Sequence, residues 1–370
     1  MLAVVSVIND LATDQRVHRT CTELRAMGYD VLLVGRRRRD SLALAKRDYA
    51  TARMKLAFEK GPAFYFFFQL RLLLFLLKHK ADVYVSNDLD TLWPNYVVAK
   101  WRKKPLVYDT HEIFTEVPEL IGNPFKQNLW KRIERKIFPK LQHVFTVNES
   151  IAEWYEKAYG VRPRVVRNIP SLPKNLRQLT RKEVHLPQDK KVILLQGAGI
   201  NIHRGAEEAV EAMQYIDNAV LVIIGSGDVL PVLRRMAEED HLEGKIIFVG
   251  KLPPDELRAW TRLADIGITL DKDTNINYRF SLPNKIFDYI HAGIPVLASD
   301  LVEVKRIVEI WNVGRITSSH DPKLIAQYLR EMLDSPDYAT WKANTVLAAK
   351  ELNWETEAQQ LHSVFRQFLS

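Results

Sequence analysis

Short apolar runs alternate along this chain with longer stretches of helical period. Residues 2–8, 31–35, 83–86, 106–109 and 144–147 are β-rich runs of strand length, and patterns such as 16–27 between them repeat as amphipathic helices do. Strands alternating with helices of that length predict a parallel sheet covered on both faces. The series then starts again: 192–197, 219–225, 246–250, 266–270 and 295–299 form a second set. The pattern therefore predicts an α/β chain of two Rossmann-like domains, 1–169 and 174–352, with a last helix at about 353–370 packing back on the first. The seam is expected within 168–173, where Pro170 and Pro173 suit a linker. In open parallel sheets, ligands sit beyond the carboxyl ends of the strands, so two such halves facing each other would hold a substrate in the cleft between them.

The most informative stretch is 277–300, NYRFSLPNKIFDYIHAGIPVLASD, which reads as a loop, a short helix, a glycine stop and a buried strand. Ser281 is expected to cap the helix, with Pro283 in its first turn and Gly293 closing it. At 100° per residue, Asn284, Lys285, Asp288 and His291 share one face, and Ile286, Phe287, Tyr289 and Ile290 the other. A cation in the first turn faces the positive end of the helix dipole, and an anion there would reverse the sign of that interaction. Free N–H groups, the Ser281 hydroxyl and the Lys285 ammonium would then converge on a phosphate or diphosphate, with Asp288 placed for ribose hydroxyls. The plainer reading is a surface Lys285–Asp288 pair at i,i+3 on an ordinary amphipathic helix.

Other stretches narrow the chemistry. The loop after the first strand, 9–16, has no glycine where a dinucleotide enzyme needs Gly-x-Gly-x-x-Gly, and the second strand runs into Arg36-Arg37-Arg38-Arg39 instead of an acid for an NAD ribose. The aromatic stretch 63–80, AFYFFFQLRLLLFLLKHK, is too short and too polar for a membrane span, which needs about 20 apolar residues. It reads first as a core-packed helix. The added hypothesis is that one face lies on a membrane surface, helped by Arg36–Arg39 and the bases of 100–104.

Composition adds bounds. With 370 residues and 47% hydrophobic content, the chain can build full cores. One cysteine, Cys21, excludes an internal disulfide and fits a reducing, cytoplasmic setting. Residues 1–8 read as a first strand and not as a signal peptide. The net charge of +8 is uneven, since residues 1–168 hold 29 Lys and Arg against 18 Asp and Glu, and the remainder 24 against 27. A basic front half is expected to meet an anionic membrane surface or a phosphate-bearing acceptor. No nucleic-acid motif accompanies the charge, so no nucleic-acid partner is expected.

The segment SLPNKIFDYIHAGIPVLAS resembles the donor-site signature of the family 4, or group 1, retaining glycosyltransferases, which have the GT-B fold of two Rossmann-like domains around a cleft. Asp288 takes the place of the second of two family glutamates, whereas Tyr278 and Phe280 stand near the position of the first. Asp14-Gln15-Arg16-Val17, Asn87-Asp88-Leu89-Asp90-Thr91-Leu92 and Tyr108-Asp109-Thr110-His111-Glu112 resemble front-half motifs of the same family. Gln196-Gly197 through Arg204-Gly205 resembles the loop whose basic residue grips the donor diphosphate. Gly225, Gly227 and Lys251 fall in segments like the family's nucleotide-side glycine loops.

The resemblance implies a hexosyltransferase that takes a nucleoside diphosphate sugar and retains configuration, with no metal and no other cofactor. It implies His111, Glu112, Arg204 and Lys285 at the reacting centre, and Asp14, Arg16, Gly197, Gly225, Gly227, Lys251, Ser281, Leu282, Asn284 and Asp288 around the donor. The implied acceptor is a carbohydrate or lipid-linked hydroxyl in cell-surface polysaccharide or glycolipid synthesis, at the inner face of the membrane. Two alternatives are a nucleotide-sugar epimerase of the same fold and a non-catalytic membrane-associated scaffold.

Overall fold

A computed structural model describes residues 1–12, 14–39, 41, 43–172 and 177–369. The chain forms two compact units, Met1–Asn168 with Thr356–Ser370, and Ile169–Glu355. Thr13 of the first loop, Pro173 of the seam and the expected domain start at residue 174 lie outside the described residues.

The first unit is built on seven strands, β1 (Leu2–Asp10), β2 (Asp30–Arg37), β3 (Ala50–Lys55), β4 (Val83–Asn87), β5 (Leu106–Asp109), β6 (His143–Thr146) and β7 (Arg164–Val165). They lie in the order β3-β2-β1-β4-β5-β6-β7 with every pairing parallel. The order reverses beside β1, between β2 and β4, and loops at such a switch point are where α/β sheets place ligands. Helix α1 (Gln15–Ala26) follows β1 and is capped by Asp14, whose carboxylate accepts from the Val17 N–H at 3.0 Å. Helix α2 (Gly61–Lys78) precedes β4, and α3 (Leu89–Arg102) follows it.

Every fourth residue of α2, Phe64, Phe68, Leu72 and Leu76, is buried against Val4, Val34 and Tyr84 of the sheet. The last helix, Trp354–Phe365, contributes Glu357 to a pair with Arg167 at 2.6 Å and the Phe365 carbonyl to the Tyr29 hydroxyl at 2.6 Å.

The second unit has six strands, β8 (Lys191–Gly197), β9 (Ala219–Gly225), β10 (Ile246–Phe248), β11 (Ile266–Thr269), β12 (Val296–Ser299) and β13 (Gly314–Thr317). Their order is β10-β9-β8-β11-β12-β13, again all parallel. Alternation along β8 and β9 sends Ile193, Leu195, Leu221 and Ile223 into one apolar cluster and Val192, Leu194, Val220 and Val222 into the other. Both faces of this sheet are covered, as continuous apolar strands require.

Three strands have no counterpart in the sequence reading: β3, β7 and β13. All three are sheet edges. An edge strand is paired on one side only, so Ala50–Lys55 (ATARMK) and Gly314–Thr317 (GRIT) carry no long apolar run to detect.

Candidate active site

In the second unit the helix Lys285–Ala292 follows β11 and precedes β12. It begins at Lys285, not at Ser281 as the sequence reading expects; Asn284 holds the cap position without a side-chain bond. Leu282 precedes a proline, which disfavours helical backbone at that residue, and it packs instead against the core cluster. The Ser281 hydroxyl is left buried without a hydrogen-bond partner among the described residues. The other end forms as read, with Gly293 in the left-handed region at φ 78°. Ile286, Phe287, Tyr289 and Ile290 are buried, as the face pattern predicts. The Tyr289 hydroxyl lies 3.1 Å from the Ile268 carbonyl and 3.2 Å from that of Leu194, and it accepts from the Gln196 N–H at 3.3 Å. Its ring fits only because residue 267 is glycine, where a Cβ would come 2.4 Å from the ring.

The wet face of this helix makes different pairs from the simple Lys285–Asp288 one. Lys285 is 13% exposed, and its Nζ lies 3.7 Å from Oδ1 of Asp271, a carboxylate just after β11 that is 1% exposed. Arg204 approaches the other oxygen at 3.2 Å and lays its guanidinium over the Tyr278 ring at 4.4 Å. Tyr278, near the position of the absent family glutamate, thus supports the arginine by a cation–π contact. Neither Asp271 oxygen has an aligned hydrogen-bond partner among the described residues. Burial pushes the Lys285 ammonium down, Asp271 draws it back up and Arg204 pushes it down again, leaving it below its ordinary value. Asp288 accepts from Gln196 Nε2 at 3.0 Å, and Gln196 Oε1 accepts from the Thr261 hydroxyl at 2.7 Å.

Beside this cluster the ends of β8 and β9 approach closely. The Ser226 N–H donates to the Gly197 carbonyl at 3.1 Å and the Ile200 N–H to the Ser226 carbonyl at 2.9 Å. Gly225 has φ 140°, and a Cβ there would lie 1.8 Å from the Gly197 oxygen; one on Gly227 would lie 1.9 Å from the Ile200 oxygen. Gly197 itself has room, with its nearest neighbour at 3.8 Å. Asn284 is exposed, and Lys251 stands exposed beyond β10 in no hydrogen bond or ion pair given for the described residues.

In the first unit His111 is clamped. Its Nδ1 lies 3.1 Å from Asp88 Oδ2, and its Nε2 lies 3.3 Å from Asp109 Oδ2, close enough for charge pairing but not aligned as a hydrogen bond. The His111 N–H also donates to Asp88 Oδ1 at 3.0 Å. Burial lowers the imidazole, but the two carboxylates outweigh it and raise it from 6.5 to about 10. His111 is therefore an imidazolium at neutral pH. Asp88 adopts φ 58° and ψ 167°, a conformation costly for any residue with a side chain, and its contacts to His111 hold it there.

Asp109 is gripped in turn by Arg16, whose Nε and Nη2 reach its two oxygens at 3.0 and 2.8 Å while Nη1 donates to the Val166 carbonyl at 2.8 Å. Burial alone would raise the Asp109 carboxyl; Arg16 and His111 reverse this and hold it below the usual range. The Arg16 fork thus acts inside the unit on Asp109, and Asp14 serves as the α1 cap. Glu112 offers its carbonyl to the Thr110 hydroxyl at 2.9 Å, and its charge helps to raise the buried Asp90 carboxyl.

Two family descriptions match the chain: Glycosyltransferase Family 4 over residues 14–171 and Glycosyl transferases group 1 over residues 177–347. The chain belongs to the family 4, group 1 glycosyltransferases. Among its curated relatives, D-inositol 3-phosphate glycosyltransferase of Corynebacterium glutamicum is 27% identical over 50% of the chain and 46% of its own length. The GDP-mannose-dependent alpha-(1-6)-phosphatidylinositol monomannoside mannosyltransferase of Mycobacterium tuberculosis is 25% identical over 41% of the chain and 40% of its own. The aligned part of the chain thus spans about half the length of the curated relatives it matches, or less.

Solved structures match over the whole fold. Sucrose-phosphate synthase of Thermosynechococcus elongatus superimposes with a TM-score of 0.80 at 18% identity, covering 100% of this chain and 99% of that one. HepE of Anabaena, solved in complex with UDP-glucose, gives 0.73 at 14% identity over 98% and 100%. The fold is GT-B.

Four residues of these clusters, Asp88, Asp109, Gln196 and Asp271, are not among the predicted site residues. Asp88 and Asp109 sit inside motifs that the sequence reading quotes, and their carboxyl chemistry beside a histidine was the available signal. Gln196 stands in the sequence only as the opening of a loop. Asp271 carried no signal, because one acid in the polar run Asp271-Lys272-Asp273 looks like solvated surface.

Proposed function

We propose that this chain is a retaining glycosyltransferase that moves a sugar from a nucleoside diphosphate sugar to an acceptor hydroxyl, without a metal or other cofactor. The observation that carries the reading is the Arg204–Asp271–Lys285 cluster, in which two cations share one buried carboxylate. The cluster keeps a surplus positive charge, two cations to one carboxylate, and burial first and then Arg204 hold the Lys285 ammonium below its ordinary value. A diphosphate bound there would supply the missing anion.

In this reading the bond between the anomeric carbon and the diphosphate oxygen breaks with its electron pair passing to the diphosphate. The acceptor oxygen bonds to the same face of that carbon, and its proton passes to a donor phosphate oxygen. Arg204 and Lys285 favour this step because negative charge grows on the oxygens they face. Asp288 holds ribose hydroxyls, with Leu282, Asn284 and the Ser281 hydroxyl beside it. Gly197, Gly225 and Gly227 let backbone approach the nucleotide, and Lys251 extends over it. His111, as a charged donor with Nε2 unaligned to any acceptor, holds the transferred sugar with Glu112. Asp14 and Arg16 shape that side by capping α1 and fixing Asp109. That HepE was crystallised with UDP-glucose supports a nucleotide-sugar donor. The setting we infer is polysaccharide or glycolipid assembly at the cytoplasmic face of a membrane, on a carbohydrate or lipid-linked acceptor.

Calorimetric titration with UDP, GDP, ADP and CDP tests the reading. One of them should bind, and Lys285→Ala and Arg204→Ala should each weaken it more than tenfold, as loss of a charge-assisted phosphate contact does. Affinity unchanged in both variants removes the assignment. Incubating the donor sugar without acceptor separates transfer from epimerisation, since only an epimerase converts the donor alone.

A further inference from the structure

Helix α2 is apolar on two opposite sides, and the fold uses one. Phe64, Phe68, Leu72 and Leu76 lie in the core, while Phe66, Leu70, Leu74 and Leu77 are exposed, Phe66 by 64%. The pattern continues on neighbouring helices. On α3, Trp93, Val97 and Trp101 form an exposed i,i+4,i+8 stripe, with Trp101 69% exposed. On the helix Pro124–Ile137, Phe125 and Leu129 are exposed, Phe125 by 83%. The three helices adjoin. Arg102 of α3 donates to the Leu76 and Leu77 carbonyls of α2, and Tyr65 of α2 packs edge-on against Trp130 of the third helix, 5.6 Å between ring centres.

An exposed apolar face of this extent marks an interaction surface, and the charges around it select the partner. Residues 61–104 contain seven Lys and Arg against three Asp and Glu. None of the three acids is free: Asp82 pairs with Lys104, Asp88 pairs with His111, and Asp90 is buried. Arg71, Lys78, Lys100 and Lys103 are exposed and form no salt bridge given for the described residues. Protein interfaces deplete lysine where they concentrate aromatics, whereas a lipid surface takes both, with rings among the acyl chains and ammonium groups at the phosphates.

We propose that the exposed face of α2, α3 and Pro124–Ile137 docks the protein on an anionic phospholipid bilayer. The sequence expectation that the α2 stretch is too short and too polar to span needs correcting, since Gly61–Lys78 is long and apolar enough to cross a membrane by length and composition alone. Its four buried side chains hold it on the sheet, so it lies along the bilayer surface. The docking face and the donor-phosphate reading rest on different residues, and either can fail alone.

Flotation of the full chain with phosphatidylcholine vesicles, with and without about one-third phosphatidylglycerol, tests this at about 0.1 and 1 M salt, where the screening length falls from about 10 to 3 Å. Wild type should float with the anionic vesicles at low salt, with at least tenfold less bound to neutral ones. Phe66→Gln/Leu74→Gln/Trp101→Gln and Arg71→Glu/Lys100→Glu/Lys103→Glu should each lose at least tenfold while keeping the wild-type melting temperature. The apolar positions are exposed, so a change in melting temperature is not expected; in its place, blue-shifted Trp93 and Trp101 fluorescence on adding anionic vesicles provides an independent readout. Wild type that floats with neither vesicle, or an apolar triple variant that floats as well as wild type, overturns the proposal. So does sedimentation showing a dimer that the triple variant abolishes.

Discussion

Asp88→Asn should bring the His111 imidazole more than halfway back to its ordinary pKa. At an effective dielectric near 20, a unit charge pair about 3 Å apart interacts by about 5 kcal/mol, so Asp88 and Asp109 together supply about 10 kcal/mol. The rise of the imidazole from 6.5 to about 10 corresponds to a net of about 5 kcal/mol at about 1.4 kcal/mol per pH unit. Burial therefore takes back about 5 kcal/mol, and removing one carboxylate should cancel most of the net. The expected fall is about 2 to 3 pH units, reduced toward 2 because His111 is one-fifth exposed and partly screened. Asparagine keeps the shape of Asp88 and meets the same backbone cost at φ 58° and ψ 167°, so the substitution changes the charge and not the strain.

Titration of 13C-labelled histidine by NMR, with His111→Gln assigning the signal, reads the value directly. Stability should follow the same path. A raised folded-state pKa stabilises fully below pH 6.5, and that contribution is lost as pH climbs through about 10. The wild-type advantage over Asp88→Asn should then shrink between pH 7 and 10. A His111 signal that titrates within half a pH unit of wild type in Asp88→Asn would refute the clamp.

Three other substitutions probe the remaining elements. Asp271→Asn leaves the part-buried Lys285 and Arg204 facing each other without their counter-ion, and urea unfolding should show a loss of about 2 kcal/mol, with a loss under about 0.5 kcal/mol contradicting the cluster. Gly225→Ala meets the Gly197 oxygen at 1.8 Å in a backbone region closed to alanine, and should lower stability by about 2 kcal/mol or more; Gly197→Ala, with 3.8 Å of room, should change it by about 0.5 kcal/mol or less. Burial raises the Glu134 carboxyl from 4.5 to about 7, against the pull of Tyr159, Tyr155 and Thr115. Its contribution is complete below pH 4.5 and lost by about pH 7, so Glu134→Gln should lose less melting temperature than wild type between pH 5 and 8. Equal losses would show that Glu134 does not titrate there.

Part of the site is legible in the order of residues alone. Ile286, Phe287, Tyr289 and Ile290 go inward because a 3.6-residue period has one buried side, and Gly293 ends the helix because few residues but glycine take its backbone angles without strain. The helix start differs from the expected one because a capping serine is a local signal, while Pro283 restricts the residue before it and Leu282 finds a place in the core. Edge strands β3, β7 and β13 escape detection for a related reason, since half-paired strands need no apolar run.

What the chain determined by itself was therefore the repeating and the local: alternating strands and helices, two parallel sheets, the helix faces, and the glycines where backbone must turn or close. What only the tertiary structure decided was which charges meet. Asp271 comes between Arg204 and Lys285, and Asp109 between Arg16 and His111, from positions 67, 14, 93 and 2 residues apart in the chain. Such pairings follow from strand order and from the burial that forces each charge to find a partner, and neither has a period that a sequence can display.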